Sequence, residues 1–260
     1  MINMKKIEVK NKRNRREKHF LKTNGEFEVI VYDEDIHYLK NGKYEEIDNK
    51  LIKRGTGFKT KSNEFITMFD NSNKFIMNLK KNNYYIKVKL KDSNETLPLK
   101  ESSTKFFSKV FYSNILDNIN IKYKINSNSI KEDIILSNEE AIKNELVFLI
   151  DTNLELVLND NKTISVNSAE KEEFVIDKPF MIDKNGIKNN NIQYILSKVN
   201  NYYEMKLILD KEWISKASFP IAIDPTIINK GVENNVYDTY IYPMVDNKYL
   251  DINNTNNGKC

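Results

Sequence analysis

Apolar and polar residues alternate with a period of two along most of this chain. In "YYIKVKL", Tyr84 to Leu90, Tyr84, Ile86, Val88 and Leu90 fall on one face and Lys87 and Lys89 on the other, the pattern of a half-buried strand. Runs of the same kind recur in "EFEVIV" from Glu26, "EFITMF" from Glu64, "KFIMNL" from Lys74, "INIKYKI" from Ile119, "ELVFLI" from Glu145, "IQYILSKV" from Ile192 and "YYEMKLIL" from Tyr202. They are rich in Ile, Val, Tyr and Phe, which pack well on a pleated surface. Asparagine supplies the turns. Asn41-Gly42 joins "IHYL" to "KYEEI", Asn185-Gly186 follows "PFMID", and Asn pairs precede Tyr84 and Tyr202; Asn tolerates the left-handed backbone that tight hairpins need.

Helical pattern is confined to "SNEEAIKN", Ser137 to Asn144, with Ser137 as its cap, and "DKEWISK", capped by Asp210. Parallel strands would need crossover helices, so the pattern predicts an all-β, mostly antiparallel fold with two sandwich-like lobes. The polar stretch Lys91 to Lys105 reads as the boundary between a lobe over 24–95 and one over 105–228. Residues 1–23 read as a basic arm, and 232–260 as a tail or the start of a following module.

Composition adds little to fold class but redistributes charge. With 40% hydrophobic and 30% charged residues, the 260-residue chain is globular and long enough to bury a core. Residues 1–22 hold nine Lys/Arg against two Glu, while the remainder, with 32 basic and 35 acidic side chains, is slightly acidic. The basic segment Lys10 to His19 has no interleaved aromatics and gathers no helical face, which favours a solvated arm over a nucleic-acid surface. The single cysteine, Cys260, excludes an intrachain disulfide. The start lacks the apolar run of an export signal, and no stretch is apolar enough for a membrane-spanning helix.

Residues with chemical potential are few. His19 and His37 are the only imidazoles and match no zinc-binding spacing; His37, alternating with apolar residues, is expected to be a partly exposed strand residue. "DKNG" at Asp183 is similar to the start of a calcium loop but lacks the repeated oxygen ligands and closing Glu, so a hairpin turn is expected. Lys131 and Glu132 are adjacent, face opposite sides of a strand and cannot form one acid/base pair; Glu132 is expected to pair with a neighbouring charge. No cofactor or metal is expected. A carboxylate pair brought together by folding, or a sugar platform of strand aromatics, stays open as an alternative.

"FPIAIDPT", Phe219 to Thr226, is the most specific stretch. Pro220 lacks a donor and suits a strand's first residue or a sheet edge; Ile221 and Ile223 then share one face. Asp224, held extended by Pro225, is placed to accept the Thr226 amide, and the segment is predicted to stop the strand as a rigid exit.

This stretch resembles the "YPVxIDPT" signature closing a β-rich region upstream of DNRLRE-type modules in large surface, wall-associated and YD-repeat (Rhs-like) proteins of Gram-positive bacteria. Further pieces agree in order: "VFYSNILDNINIKYKI" with Tyr123, "SIKEDIIL" with Lys131 and Glu132, "KPFMIDKNG" with Pro179, Asp183 and Gly186, "DKEWIS" with Trp213, then Phe219, Pro220, Asp224 and Pro225. After them, "VYDTYI", Val236 to Ile241, looks like the first strand of a DNRLRE module. Two features depart from the pattern: Asn120 stands where the family has Asp, and family members are usually exported, whereas this start shows no signal. The chain is then either a fragment or leaves by another route, for example aboard a phage-tail-like particle. The resemblance implies an extracellular or cell-surface, non-enzymatic scaffold that presents or links other modules and carries no catalytic residues. The alternatives are a glycan- or envelope-binding module and a hydrolase with an unrecognised carboxylate site.

Overall fold

The computed structural model describes residues 6–70 and 75–230. The chain forms two compact units that divide between Ile47 and Asp48. Both are built of antiparallel strands, so the all-β expectation holds. The run Val236 to Ile241 and Cys260 lie outside the described residues.

The first unit contains a three-stranded sheet, Lys6–Glu8, Glu17–Lys22 and Phe27–Val31, and a hairpin of His37–Lys40 with Lys43–Glu46. Asn41 (φ 50°) and Gly42 (φ 75°) both sit in the left-handed region that a two-residue hairpin turn requires. Here the expected basic arm is corrected. Lys10–Lys12 forms a 3-10 turn and Glu17–Lys22 is the central strand of the sheet. Its charges are met by acidic residues on either side of it in the chain. Arg13 grips Glu8 with two bonds of 2.7 and 2.9 Å, Lys18 reaches Glu46 at 2.5 Å, and Arg15 and Arg16 share Asp35.

The second unit holds two large sheets. In the eight-stranded sheet the order is Gln193–Val199, Tyr202–Ile208, Glu145–Thr152, Tyr84–Leu90, Met77–Lys81, Ile66–Phe69, Gly57–Ser62 and Asp48–Arg54. The second sheet runs through Leu99–Ser103, Ser108–Leu116, Ile119–Ile125, Ser129–Leu136, Thr226–Asn229, Glu172–Ile176, Ile164–Asn167 and Glu155–Leu158; Ile221–Asp224 and Phe180–Ile182 branch from it. The two expected lobes are therefore interleaved. Tyr84–Leu90, from before the polar stretch, pairs with Glu145–Thr152 from after it, and Lys91 to Lys105 is a connection inside the unit that ends in the strand Leu99–Ser103.

The inner faces of both sheets share one core. Ile119, Ile121, Tyr123 and Ile125 are fully buried, as the two-residue period demands, and so are Leu79, Ile86 and Phe148 from the facing sheet. Phe69 and Tyr123 meet across the interior with ring centroids 5.2 Å apart. Each fully buried aliphatic or aromatic side chain contributes about 1.5–3 kcal/mol relative to exposure. The buried Tyr112 hydroxyl donates to the Ile76 carbonyl at 2.7 Å, which ties the second sheet to the first by a polar bond. The short helices fall as expected with one change of cap: Asn138, not Ser137, caps the 3-10 turn Glu139–Ala141, while Asp210 caps Lys211–Ile214 by accepting the Trp213 amide.

Candidate functional site

Of the motif residues, Lys131 and Glu132 lie on the strand Ser129–Leu136, and Tyr123, Asp224 and Pro225 lie beside it, the last two through a device the sequence reading misjudged. Ile221–Asp224 pairs with this strand on one side and with Phe180–Ile182 on the other. After Pro225 the chain continues as Thr226–Asn229, still paired with Ser129–Leu136 but now with Glu172–Ile176 as its outer neighbour. "FPIAIDPT" therefore does not stop a strand. It hands one strand between two neighbours in mid-sheet. Pro225, lacking an N–H, fits the gap between the two ladders, and its carbonyl accepts the Glu132 amide at 3.2 Å.

The carboxylate of Asp224 accepts the Thr226 hydroxyl at 2.8 Å rather than the expected Thr226 amide. It also pairs with Lys131 at 3.1 Å, and Lys131 holds Asp133 at 2.9 Å. Lys131 and Glu132 point to opposite faces, as predicted. Glu132 is only 7% exposed and accepts the Tyr123 hydroxyl at 2.7 Å, so its partner is a phenol and not a charge. Burial pushes the Glu132 carboxyl up to about 7, with the Tyr123 bond opposing and Asp133 and Asp224 adding to the rise. Burial also holds the Tyr123 and Tyr194 hydroxyls well above the ordinary phenol value.

Asp183 is a backbone staple. One carboxylate oxygen accepts the amides of Asn185 (2.9 Å) and Ile187 (2.8 Å), closing the turn in which Gly186 takes a φ of 82°. The other accepts the Ser218 amide at 3.2 Å, tying this turn to the entry of "FPIAIDPT". Burial works against the charge, yet the backbone donors outweigh it and hold the Asp183 carboxyl below its ordinary value. Pro179 is buried just before Phe180–Ile182, and Trp213 and Phe219 pack against the core; the Phe219–Pro220 peptide is cis. Asn120 accepts the Asn114 amide at 2.7 Å and donates to Ser137 at 3.0 Å. Asp183→Ala is expected to lower the urea midpoint of unfolding, with Asp183→Asn retaining part of the loss because one amide oxygen still accepts; an unchanged midpoint in Asp183→Ala would remove its stapling role.

Sequence reading missed a second buried charge cluster. Lys81, 3% exposed, sits 2.9 Å from Glu173 and 3.7 Å from Glu64, donates to the Lys230 carbonyl at 3.2 Å, and lies 5.2 Å from the centre of the Phe174 ring. The signal was available: Met77, Leu79 and Lys81 are alternate residues of one strand, so Lys81 must face inward with them. A register shift in the pairing of Ile164–Asn167 with Glu172–Ile176 accompanies the burial of two successive residues, Glu173 and Phe174.

His37 is likewise corrected. It is fully buried rather than partly exposed, and its Nδ1 donates to the Asn14 carbonyl at 2.7 Å. His19 lies near the surface beside Glu17. Comparison with family models, with curated proteins and with solved structures finds no match for this chain.

Proposed function

We propose that this chain is a non-enzymatic β-scaffold that presents or links other modules of a larger bacterial surface-associated or particle-borne protein. One observation carries the reading: the carboxylates of the ordered motif are turned on the chain itself. Asp183 holds three backbone amides, Asp224 holds Lys131 and Thr226, and Glu132 holds Tyr123. Carboxylates engaged in this way define strand order and turn shape. A catalytic pair would instead need one group positioned on a substrate.

A second reading, a glycan- or envelope-binding module, has one feature in its favour. Tyr85 and Tyr202 lie on the outer face of the eight-stranded sheet with Lys87, whose ammonium sits 4.6 Å from the centre of the Tyr85 ring and 5.4 Å from that of Phe75; Tyr202 is 44% exposed. Exposed aromatic faces beside hydrogen-bonding groups suit sugar rings. A glycan array and a cell-wall pull-down, run with the parent protein and Tyr202→Ala, separate the two. The scaffold reading expects both proteins at background. Saturable binding that weakens in Tyr202→Ala would replace it with the binding module.

A further inference from the structure

The first unit contains a cluster that the scaffold role does not use. One ring nitrogen of His37 and a carboxylate oxygen from each of Glu8 and Glu46 lie within 4.8 Å of one another. Three different segments bring them together: the strand Lys6–Glu8, the first residue of His37–Lys40 and the last residue of Lys43–Glu46. The Asn14 carbonyl can only accept, so the 2.7 Å contact fixes the proton on Nδ1 and leaves the lone pair on Nε2. That atom is buried and has no hydrogen-bond partner. A buried lone pair left unsatisfied is costly, and here it lies in a ring that borders two carboxylates. Arg13 and Lys18 engage the carboxylates, but neither is a hydrogen-bond partner of this nitrogen.

We infer that Glu8, His37 and Glu46 form a binding site for a divalent transition ion of the zinc class. An imidazole whose other nitrogen donates to a backbone carbonyl is the usual arrangement of a histidine metal ligand, and a nitrogen with two carboxylates suits zinc better than calcium. Ligands about 2.0–2.1 Å from zinc stand about 3.3 Å apart in a tetrahedron, so the three groups draw together around the ion and the two partly exposed glutamates exchange bonds to Arg13 and Lys18 for it. Arg13, bonded to both oxygens of Glu8 and 3.2 Å from Glu46, and Lys18 already offset the carboxylate charge. Both therefore oppose the ion, and removing the charge of Lys18 is expected to tighten binding several-fold.

The test uses the full chain with Cys260→Ser, which removes the one thiol, and titrates zinc by calorimetry and cobalt by visible absorption. One ion per chain is expected. His37→Ala and Glu46→Gln lose it, His19→Ala keeps it, and Lys18→Gln binds more tightly. Far-UV circular dichroism of each variant reports whether the fold is retained. Absence of binding in the parent, equal binding in a folded His37→Ala or Glu46→Gln, or weaker binding in a folded Lys18→Gln would each overturn the assignment.

Discussion

Replacing Glu132 by Gln is expected to remove about 3 kcal/mol of pH dependence from the stability of the second unit between pH 4 and pH 8. The carboxyl titrates near its ordinary value of 4.5 in the unfolded chain and is pushed up to about 7 in the folded one, chiefly by burial. A raised folded value means that the native state binds the proton more tightly. The stabilisation is therefore complete below about pH 4.5 and is lost as pH rises through about 7, where the native state must hold a buried anion. Glutamine keeps an oxygen for the Tyr123 hydroxyl and never ionises. Groups whose values are lowered, Asp183 and Asp210 among them, contribute in the opposite sense, losing stabilisation as pH falls. They are common to both proteins, so the difference between the two urea-unfolding curves isolates Glu132. Parallel curves across this range would mean that Glu132 is not desolvated in the native protein.

Lys81→Met is expected to cost about 3–5 kcal/mol, the penalty for leaving a buried carboxylate without its cation. Glu173 is 3% exposed and has Lys81 at 2.9 Å, so neither water nor a surface counterion replaces the ammonium. Combining Lys81→Met with Glu173→Met is expected to recover most of that loss, because two apolar side chains of similar volume remove both desolvation costs together. Denaturant unfolding of the single and double variants measures both effects. Additive losses would show that the two groups do not interact as the 2.9 Å contact implies.

Fold class was legible because strand burial is a local property. The alternation in Ile119–Ile125 and Glu145–Thr152 follows from the two-residue repeat alone, and Asn41-Gly42 sets its own turn. Sheet order was not legible. Nothing in Tyr84–Leu90 says that its neighbour is Glu145–Thr152, so a polar connection such as Lys91 to Lys105 is easily taken for a boundary. The motif around Pro225 shows the same limit. Its local preferences were right in the extended Asp224 and in Ile221 and Ile223 sharing a buried face, and the strand begins at Ile221, one residue after the expected Pro220; but whether the chain leaves the sheet there depends on Glu172–Ile176 standing ready on the far side. Charges misled for a related reason: Arg13, Lys18 and Lys81 meet acidic partners between 5 and 92 positions away, so a basic run in sequence became a paired cluster in space. Lys81 alone was recoverable, from its inward register with Leu79.

Under the proposed scaffold role, the buried carboxylate beside the strand hand-over organises the fold and performs no chemistry. Incubating the parent protein and Glu132→Gln side by side with a panel of polysaccharides and peptides tests it most directly. The scaffold account predicts no turnover by either protein, with Glu132→Gln the more stable at pH 8. Turnover by the parent that vanishes in a folded Glu132→Gln would contradict it.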